Sequence, residues 1–226
     1  GEKMSKSLGN VVDPMALAEL FGVDALRYFL LREVSFGQDG SYSPEAIVTR
    51  VNADLANSFG NLAQRTLSLI FKNCEGYLPA IHDHHADDQA LLELVGNAVS
   101  TQIPAHFEDL AMSQALEAWM QAVFACNAYV DVQAPWALKK TDPERMETVL
   151  ATLFICIAQL AIAVQPIIPG SATKLLDQMG VPDNVRNFAN AGSHWYSPLA
   201  EGGFQIGQPQ GLFPRLELPP EEGAST

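Results

Sequence analysis

Ser43-Pro-Glu-Ala-Ile-Val-Thr-Arg-Val-Asn-Ala-Asp-Leu-Ala-Asn-Ser-Phe-Gly-Asn-Leu-Ala-Gln-Arg-Thr-Leu-Ser-Leu-Ile-Phe-Lys72 is the stretch whose reading decides the fold. Ser43 offers a hydroxyl to an open backbone N–H, Pro44 has the φ that a first helical turn needs, and Glu45 faces the positive helix end. Beyond this start, Ile47, Val51, Leu55, Phe59, Leu62, Leu69 and Ile70 recur at mostly helical spacing, and Asn73-Cys-Glu-Gly76 stops the run. The pattern predicts one long helix from about 44 to 72.

The same grammar repeats in both directions. Upstream, Asp13 caps a helix that begins with Pro14 and runs through Phe21 to Gly22, and Asp24 reads as the start of a second helix over 25–32. Between them and the long helix, Val34 to Tyr42, with Gly37 and Gly40, leaves room for a short strand and turn. Downstream, Tyr77 to Asp87 reads as a loop, followed by a helix from about Asp88 to Ile103 that Pro104 ends or kinks. A third helix covers 112–131, with Leu116, Trp119, Met120, Val123, Phe124 and Tyr129 on its apolar face and Gln133-Ala-Pro-Trp136 at its end. Asp142-Pro143-Glu144 opens a fourth that runs to about Gln165, and a shorter helix after Pro169 stops at Met179-Gly180.

Four or five helices with short connections make a mainly α protein, an antiparallel helix bundle. The expected organisation is a leading segment over 1–43, the bundle over 44–180, a C-terminal extension over 181–218 that packs back on the bundle, and a disordered Pro/Gly-rich tail over 219–226.

With 48% hydrophobic residues in 226, the chain can bury a sizeable core. Its 13 basic and 26 acidic residues give a formal charge of -13, which excludes broad tracking of a phosphate backbone. Any RNA contact is therefore local, through unstacked bases on aromatic and polar side chains. Cys74, Cys126 and Cys156 form no disulfide framework, which fits a reducing cytosol. The uncharged run Val149 to Thr173 is interrupted by Gln159, Gln165, Pro166 and Pro169, and a buried helix accounts for it. His82, His84 and His85 with Cys74 match no closed Cys/His module, so no metal is expected.

The first residues add a chemical signature. Lys3-Met-Ser-Lys-Ser7, continued by Leu8-Gly9-Asn10, resembles the KMSKS loop of class I aminoacyl-tRNA synthetases, and Gly22 to Leu31 resembles the segment downstream of that loop in the same enzymes. The resemblance implies that Lys6 is the principal lysine stabilising charge on ATP, with Lys3 and Ser5 shaping the loop around the phosphates. Asn61-Leu-Ala-Gln-Arg65 and Tyr129-Val-Asp-Val-Gln-Ala-Pro-Trp136 are similar to the anticodon-reading elements of methionyl-tRNA synthetases, and Gly211 to Glu217 is similar to the end of their common core. The resemblance assigns Asn61, Arg65 and Trp136 to the anticodon, whose first base is a cytosine. The physics agrees. Positions i and i+4 share a helix face, so an amide and a guanidinium can converge on one base edge, and a Trp at a helix end offers a stacking surface. Trp119, inside an apolar stripe, is left to the core; Asn127 and Gln133 are secondary candidates.

The family implies a small α/β stem-contact segment ahead of the bundle. It also implies a chain that is the tRNA-binding, C-terminal portion of a methionine-tRNA ligase, which reads a CAU anticodon. The intact enzyme would use ATP and Mg2+ to attach methionine. No nucleotide-binding fold or HIGH-type motif is present, so the fragment alone is expected to be inactive and to hold no cofactor. Expected partners are the anticodon stem-loop of tRNA(Met) and the missing N-terminal catalytic domain, with no membrane and no DNA, in the cytoplasm. Two alternatives stay open: the same region of another class I synthetase for an apolar amino acid, and a free-standing acidic helical module that binds protein.

Overall fold

The computed structural model describes residues 13–33, 43–191 and 204–220. Lys3, Ser5 and Lys6, the strand and turn expected over 34–42, and the tail beyond 220 lie outside the described residues.

The core is organised around one helix, α9 (Pro143–Val164), in which every residue from Thr148 onward is buried. Such a helix is apolar all round because it has neighbours on every side. They are α4 (Asn61–Asn73), α5 (Ala86–Asn97), α7 (Met112–Gln133), α8 (Pro135–Leu138) and α10 (Pro169–Met179). The uncharged run that could have crossed a membrane is spent on this packing. Trp119 of α7 is 1% exposed and donates its indole N–H to the Leu160 carbonyl at 3.0 Å, so the core takes it, polar atom included.

The helix starts match the sequence pattern closely. Asp13 accepts from the Met15 N–H at 2.9 Å to cap α1 (Pro14–Phe21), and Ser43 and Asp142 cap α3 (Pro44–Val51) and α9. Asp24 departs from its expected role. α2 (Val23–Glu33) begins before it, and its carboxylate instead accepts the Ser171 N–H at 2.6 Å, capping α10 from another part of the chain. Arg27 completes this junction by donating to the Ile167 and Pro166 carbonyls at 2.9 and 2.6 Å. In this way α2 is tied to both ends of the α9–α10 connection.

The long helix predicted over 44–72 is one helical rod with a change of winding inside it. α3 leads into a π-helical segment, Asn52–Gly60, and then into α4. The buried set Val51, Leu55, Phe59 and Ala63 explains why. Each step is four residues, so in a 3.6-residue turn each residue would drift about 40° from the last. The wider turn drifts the opposite way, so the mixed winding offsets much of the drift, and all four stay buried.

The same spacing, Leu91, Val95, Val99 and Ile103, recurs in the next rod, where Ala98–Gln102 is π-helical between α5 and α6 (Ile103–Glu108). Of the two outcomes expected at Pro104, an end or a kink, the helix does not end: it passes Pro104, which stands just after the π-helical segment, where the Ile103 N–H reaches five residues back to the Ala98 carbonyl.

The loop expected over 77–87 contains a two-residue strand, β1 (Tyr77–Leu78), paired antiparallel with β2 (Phe204–Gln205). From β2 the chain runs back over the bundle as a strap. The Gly207 N–H donates to the Gln178 carbonyl at 2.8 Å. Further along, the buried Asn52 side chain makes both hydrogen bonds to the Leu216 peptide, at 2.6 and 2.9 Å.

Candidate nucleic-acid interface

The site begins where α7 stops. Ala134 comes directly after Gln133 with φ 46° and ψ 60°, a left-handed conformation that costs a non-glycine residue about 1 kcal/mol. That turn directs Pro135 and Trp136 away from the α7 axis into α8.

A buried polar cluster holds the turn in place. The Asp88 carboxylate is wholly buried at the start of α5, and Arg145 of α9 donates to it twice, at 2.6 and 2.8 Å. The Tyr129 hydroxyl and the His85 backbone N–H also donate to it. Arg145 donates to Gln133 Oε1 at 2.8 Å, and Gln133 Nε2 donates to Asp87 at 3.2 Å. The last residue of α7 is therefore fixed by α5 and α9 together. Burial on its own would raise the Asp88 carboxyl, but the hydrogen bonds from Arg145, Tyr129 and the His85 backbone outweigh it and hold the group below the ordinary carboxylate range. The Tyr129 phenol moves the other way, pushed up by burial and by the Asp88 charge beside it.

Trp136, so placed, is 49% exposed. The guanidinium carbon of Arg65, from α4, lies 5.4 Å from its ring centroid, within cation–π range. Of the three residues named from the sequence, the structure thus brings Arg65 and Trp136 together. Asn61 is exposed one turn earlier on the Arg65 face, and its own N–H donates to the Ala56 carbonyl five residues back, closing the π-helical segment. Its side chain faces a cleft of about 460 Å³ between α4 and the strap, lined also by Asn57, Gln64, Leu212 and Phe213.

The secondary candidates are committed elsewhere. Gln133 belongs to the Arg145 cluster, and Asn127 donates to the Ser58 and Val123 carbonyls at 3.3 Å each, satisfying an acceptor of the π-helical segment. His82 pairs with Glu147 at 2.6 Å, and burial pushes the half-buried Cys74 thiol up to about 11. Among the described residues no three His, Cys, Asp or Glu side chains gather as a metal site.

Sequence reading passed over two exposed cations, Lys139 and Lys140, which come after Trp136 at the end of α8. A basic pair just after an exposed aromatic was the available signal. It also passed over Gln64 and Phe213, whose neighbourhood depends on the strap and has no local signature.

A family profile described as the anticodon binding domain of methionyl tRNA ligase matches residues 78–221. The chain belongs to the methionyl-tRNA ligase family. A second profile, tRNA synthetases class I (M), matches residues 1–67, which include the KMSKS-like loop. The methionine-specific match separates this chain from the same region of other class I synthetases and from an unrelated acidic helical module.

A methionine–tRNA ligase of Brucella suis is 53% identical over 215 residues, covering 95% of this chain and 41% of that protein. One from Mesorhizobium japonicum is 50% identical over 224 residues, 99% of this chain and 43% of that protein. The chain therefore spans about two-fifths of the length of these methionyl-tRNA ligases. The Mycobacterium tuberculosis methionyl-tRNA synthetase in complex with methionyl-adenylate superposes with a TM-score of 0.88 at 47% identity, covering 95% of this chain and 42% of that one. The free form of the same synthetase gives 0.86 at 44% identity, covering 92% of this chain and 42% of that one. Family and fold agree on a mainly α anticodon-binding domain.

Proposed function

We propose that this chain reads the CAU anticodon loop of a methionine tRNA through Asn61, Arg65 and Trp136, as part of an enzyme that joins methionine to that tRNA. The observation that carries the reading is the contact of the Arg65 guanidinium with the half-exposed Trp136 ring. A planar cation against one part of the indole holds the ring in place and leaves apolar surface on which an unstacked base can lie. Cytosine presents O2 and N3 as acceptors and its amino group as donor. The Arg65 N–H groups match the acceptors, and the Asn61 amide, one turn away, can donate or accept. Lys139 and Lys140 supply local positive charge for the flanking phosphates in an otherwise acidic chain.

In the intact enzyme, ATP and Mg2+ would supply the energy for methionine activation, and Lys3, Ser5 and Lys6 would work at the phosphates, with Lys6 the principal cation. That chemistry requires a nucleotide-binding fold, and none lies among the described residues. The chain's own task is to dock the tRNA beside the catalytic domain in the cytoplasm.

The test is a titration of the chain with a CAU anticodon stem-loop and with a loop whose first anticodon base is changed, at low and moderate salt. Tighter binding of the CAU loop is expected, weakened by about 1–3 kcal/mol in Trp136→Ala. Equal binding of both loops, or unchanged discrimination in that variant, would sink the reading.

A further inference from the structure

From Asn73 to Leu138 the chain has no Lys or Arg, against nine Asp and Glu residues. This run supplies α5, the π-helical turn after it, α6 and α7. Two cations reach it from outside, and both are spent there: Arg32 on Glu117 and Arg145 on Asp88. A groove of about 660 Å³ opens on this side between α5 and α7. The two helices are antiparallel, because Tyr129 and Gln133 near the end of α7 bond Asp88 and Asp87 at the start of α5. Ala98, Ala118, Ala122 and Ala125 form the floor of the groove, and Leu94 and Phe124 are its walls. The wall residues are 47% and 48% exposed.

A single exposed Leu or Phe needs no explanation. Here the two face each other over a floor of alanines, which makes a continuous apolar surface of definite shape. The groove follows α7 from Ala118 to Ala128, about 15 Å, which is the length of roughly three turns of a helix. Small floor residues leave room for another helix to lie close. The rim is acidic. Asp131 lies seven residues beyond Phe124 and Asp87 seven before Leu94, each two turns along the same helix face, and Glu93 flanks the groove beside Leu94. Glu93 and Asp131 are exposed and have no hydrogen-bond or ion-pair partner among the described residues.

This charge selects the occupant. An RNA backbone is repelled by a face without a cation of its own. A second copy of the chain, docked by a two-fold axis, would set one acidic rim against another. A helix with an apolar stripe and basic flanks meets complementary surface at both, which is the helix-in-groove mode of recognition. We propose that the α5–α7 groove docks a cationic amphipathic helix of a partner protein. Its apolar stripe lies on Ala98 and Ala122 between Leu94 and Phe124, and its basic flanks face Glu93 and Asp131. None of Asn61, Arg65 and Trp136 lines this groove, so the proposal stands apart from the anticodon reading.

The probes are two helical peptides about four turns long, of identical Leu, Ala and Lys composition. One places Leu on a single face, and the other has the same residues shuffled so that no apolar face forms. Fluorescence anisotropy at moderate salt measures both against the unaltered chain, the double variant Leu94→Gln with Phe124→Gln, and the double variant Glu93→Gln with Asp131→Asn. All four positions are exposed on helices, so the variants should fold as the parent does, which circular dichroism checks. The unaltered chain is expected to bind the amphipathic peptide at least about tenfold tighter than the shuffled one, and the Leu94/Phe124 variant to lose that advantage. The Glu93/Asp131 variant should bind the amphipathic peptide several-fold more weakly, with a flatter salt dependence. Binding of a CAU stem-loop should be unchanged in both variants. Equal affinity for the two peptides would reduce the effect to general attraction between a cation and an acidic chain, and would overturn the proposal. So would full peptide affinity in the Leu94/Phe124 variant, or a dimer of the unaltered chain in sedimentation that this variant abolishes, since the groove would then belong to a second copy.

Discussion

Arg145 holds Asp88 by two hydrogen bonds, at 2.6 and 2.8 Å, across the junction of α9 and α5. The carboxylate is wholly buried and the guanidinium nearly so. Such a pair adds little over an apolar pair of equal volume, but removing one partner strands a buried charge at a cost of about 3–5 kcal/mol. Arg145→Met should therefore lower the unfolding free energy by about 3 kcal/mol in urea titrations. Because Arg145 also fixes Gln133 at the root of the Ala134 turn, the variant should lose anticodon binding even in conditions where it stays folded.

The same pair sets an acid limb of stability. The folded Asp88 carboxyl sits below its unfolded value of about 3.9, so its contribution is complete above that pH and is lost as pH falls through the lower folded value. In Arg145→Met the burial remains, and Tyr129 and the His85 N–H still donate, but the charge and the two hydrogen bonds of Arg145 are gone: the folded carboxyl rises, so the variant should lose less stability than the parent on acidification from pH 7 toward pH 5. Urea midpoints at the two pH values check this. A variant whose midpoint falls in parallel with the parent contradicts the assignment.

Helix starts were legible because their causes are local: an acid or hydroxyl at the cap, a proline behind it, apolar residues at helical spacing. The winding changes were not legible: the four-residue steps at Val51, Leu55, Phe59 and Ala63 and from Leu91 to Ile103 have counterparts in the ordinary α-helix α7, at Ala122, Cys126 and Val130. Asp24 was misread for a different reason. It satisfies the start of α10, a partner far along the chain that no local pattern reveals. The candidate site divides in the same way. Asn61 and Arg65 share a helix face by spacing alone, whereas the approach of Arg65 to Trp136 and the Phe213 wall depend on packing between distant segments.

Two glycines on helical rods should respond oppositely to alanine. Gly96 of α5 has open space where a Cβ would stand, so Gly96→Ala should stabilise by about 0.5–1 kcal/mol through helix propensity. At Gly60 the new carbon meets the Leu55 carbonyl oxygen at 2.7 Å, a backbone atom that cannot rotate away. Gly60→Ala should destabilise and lift the strap, seen as a lower melting temperature and faster proteolysis near Phe213. Equal melting temperatures for the two variants would contradict the close crossing.

His82 and Glu147 make a pH-dependent tie between the Tyr77–His85 segment and α9. The hydrogen bond that the His82 ring donates to the Glu147 carboxylate raises His82, so the stabilisation is complete below the unfolded histidine value of about 6.5 and is lost as pH rises through the higher folded one. The pair is solvent-accessible, so the effect is small and screened by salt. His82→Gln should flatten the decline in urea midpoint between pH 6 and pH 8, and an NMR titration of the parent should place the His82 midpoint above that of a free histidine.

Trp119 and Trp136 make opposite demands on the molecule. Trp119 is 1% exposed, meets Phe59 edge to face at 4.8 Å and donates to the Leu160 carbonyl, so Trp119→Ala leaves a large cavity and should cost about 3–5 kcal/mol. Trp136 is half exposed, and its contact with Arg65 is of the accessible kind, worth about 0.5–1 kcal/mol. Trp136→Ala should therefore cost no more than about 1 kcal/mol of stability, while removing a stacked base worth about 1–3 kcal/mol in stem-loop binding. Urea titration and stem-loop binding on the same two variants separate the roles. A Trp136→Ala protein that unfolds as readily as Trp119→Ala would return Trp136 to the core and leave the anticodon without its stacking surface.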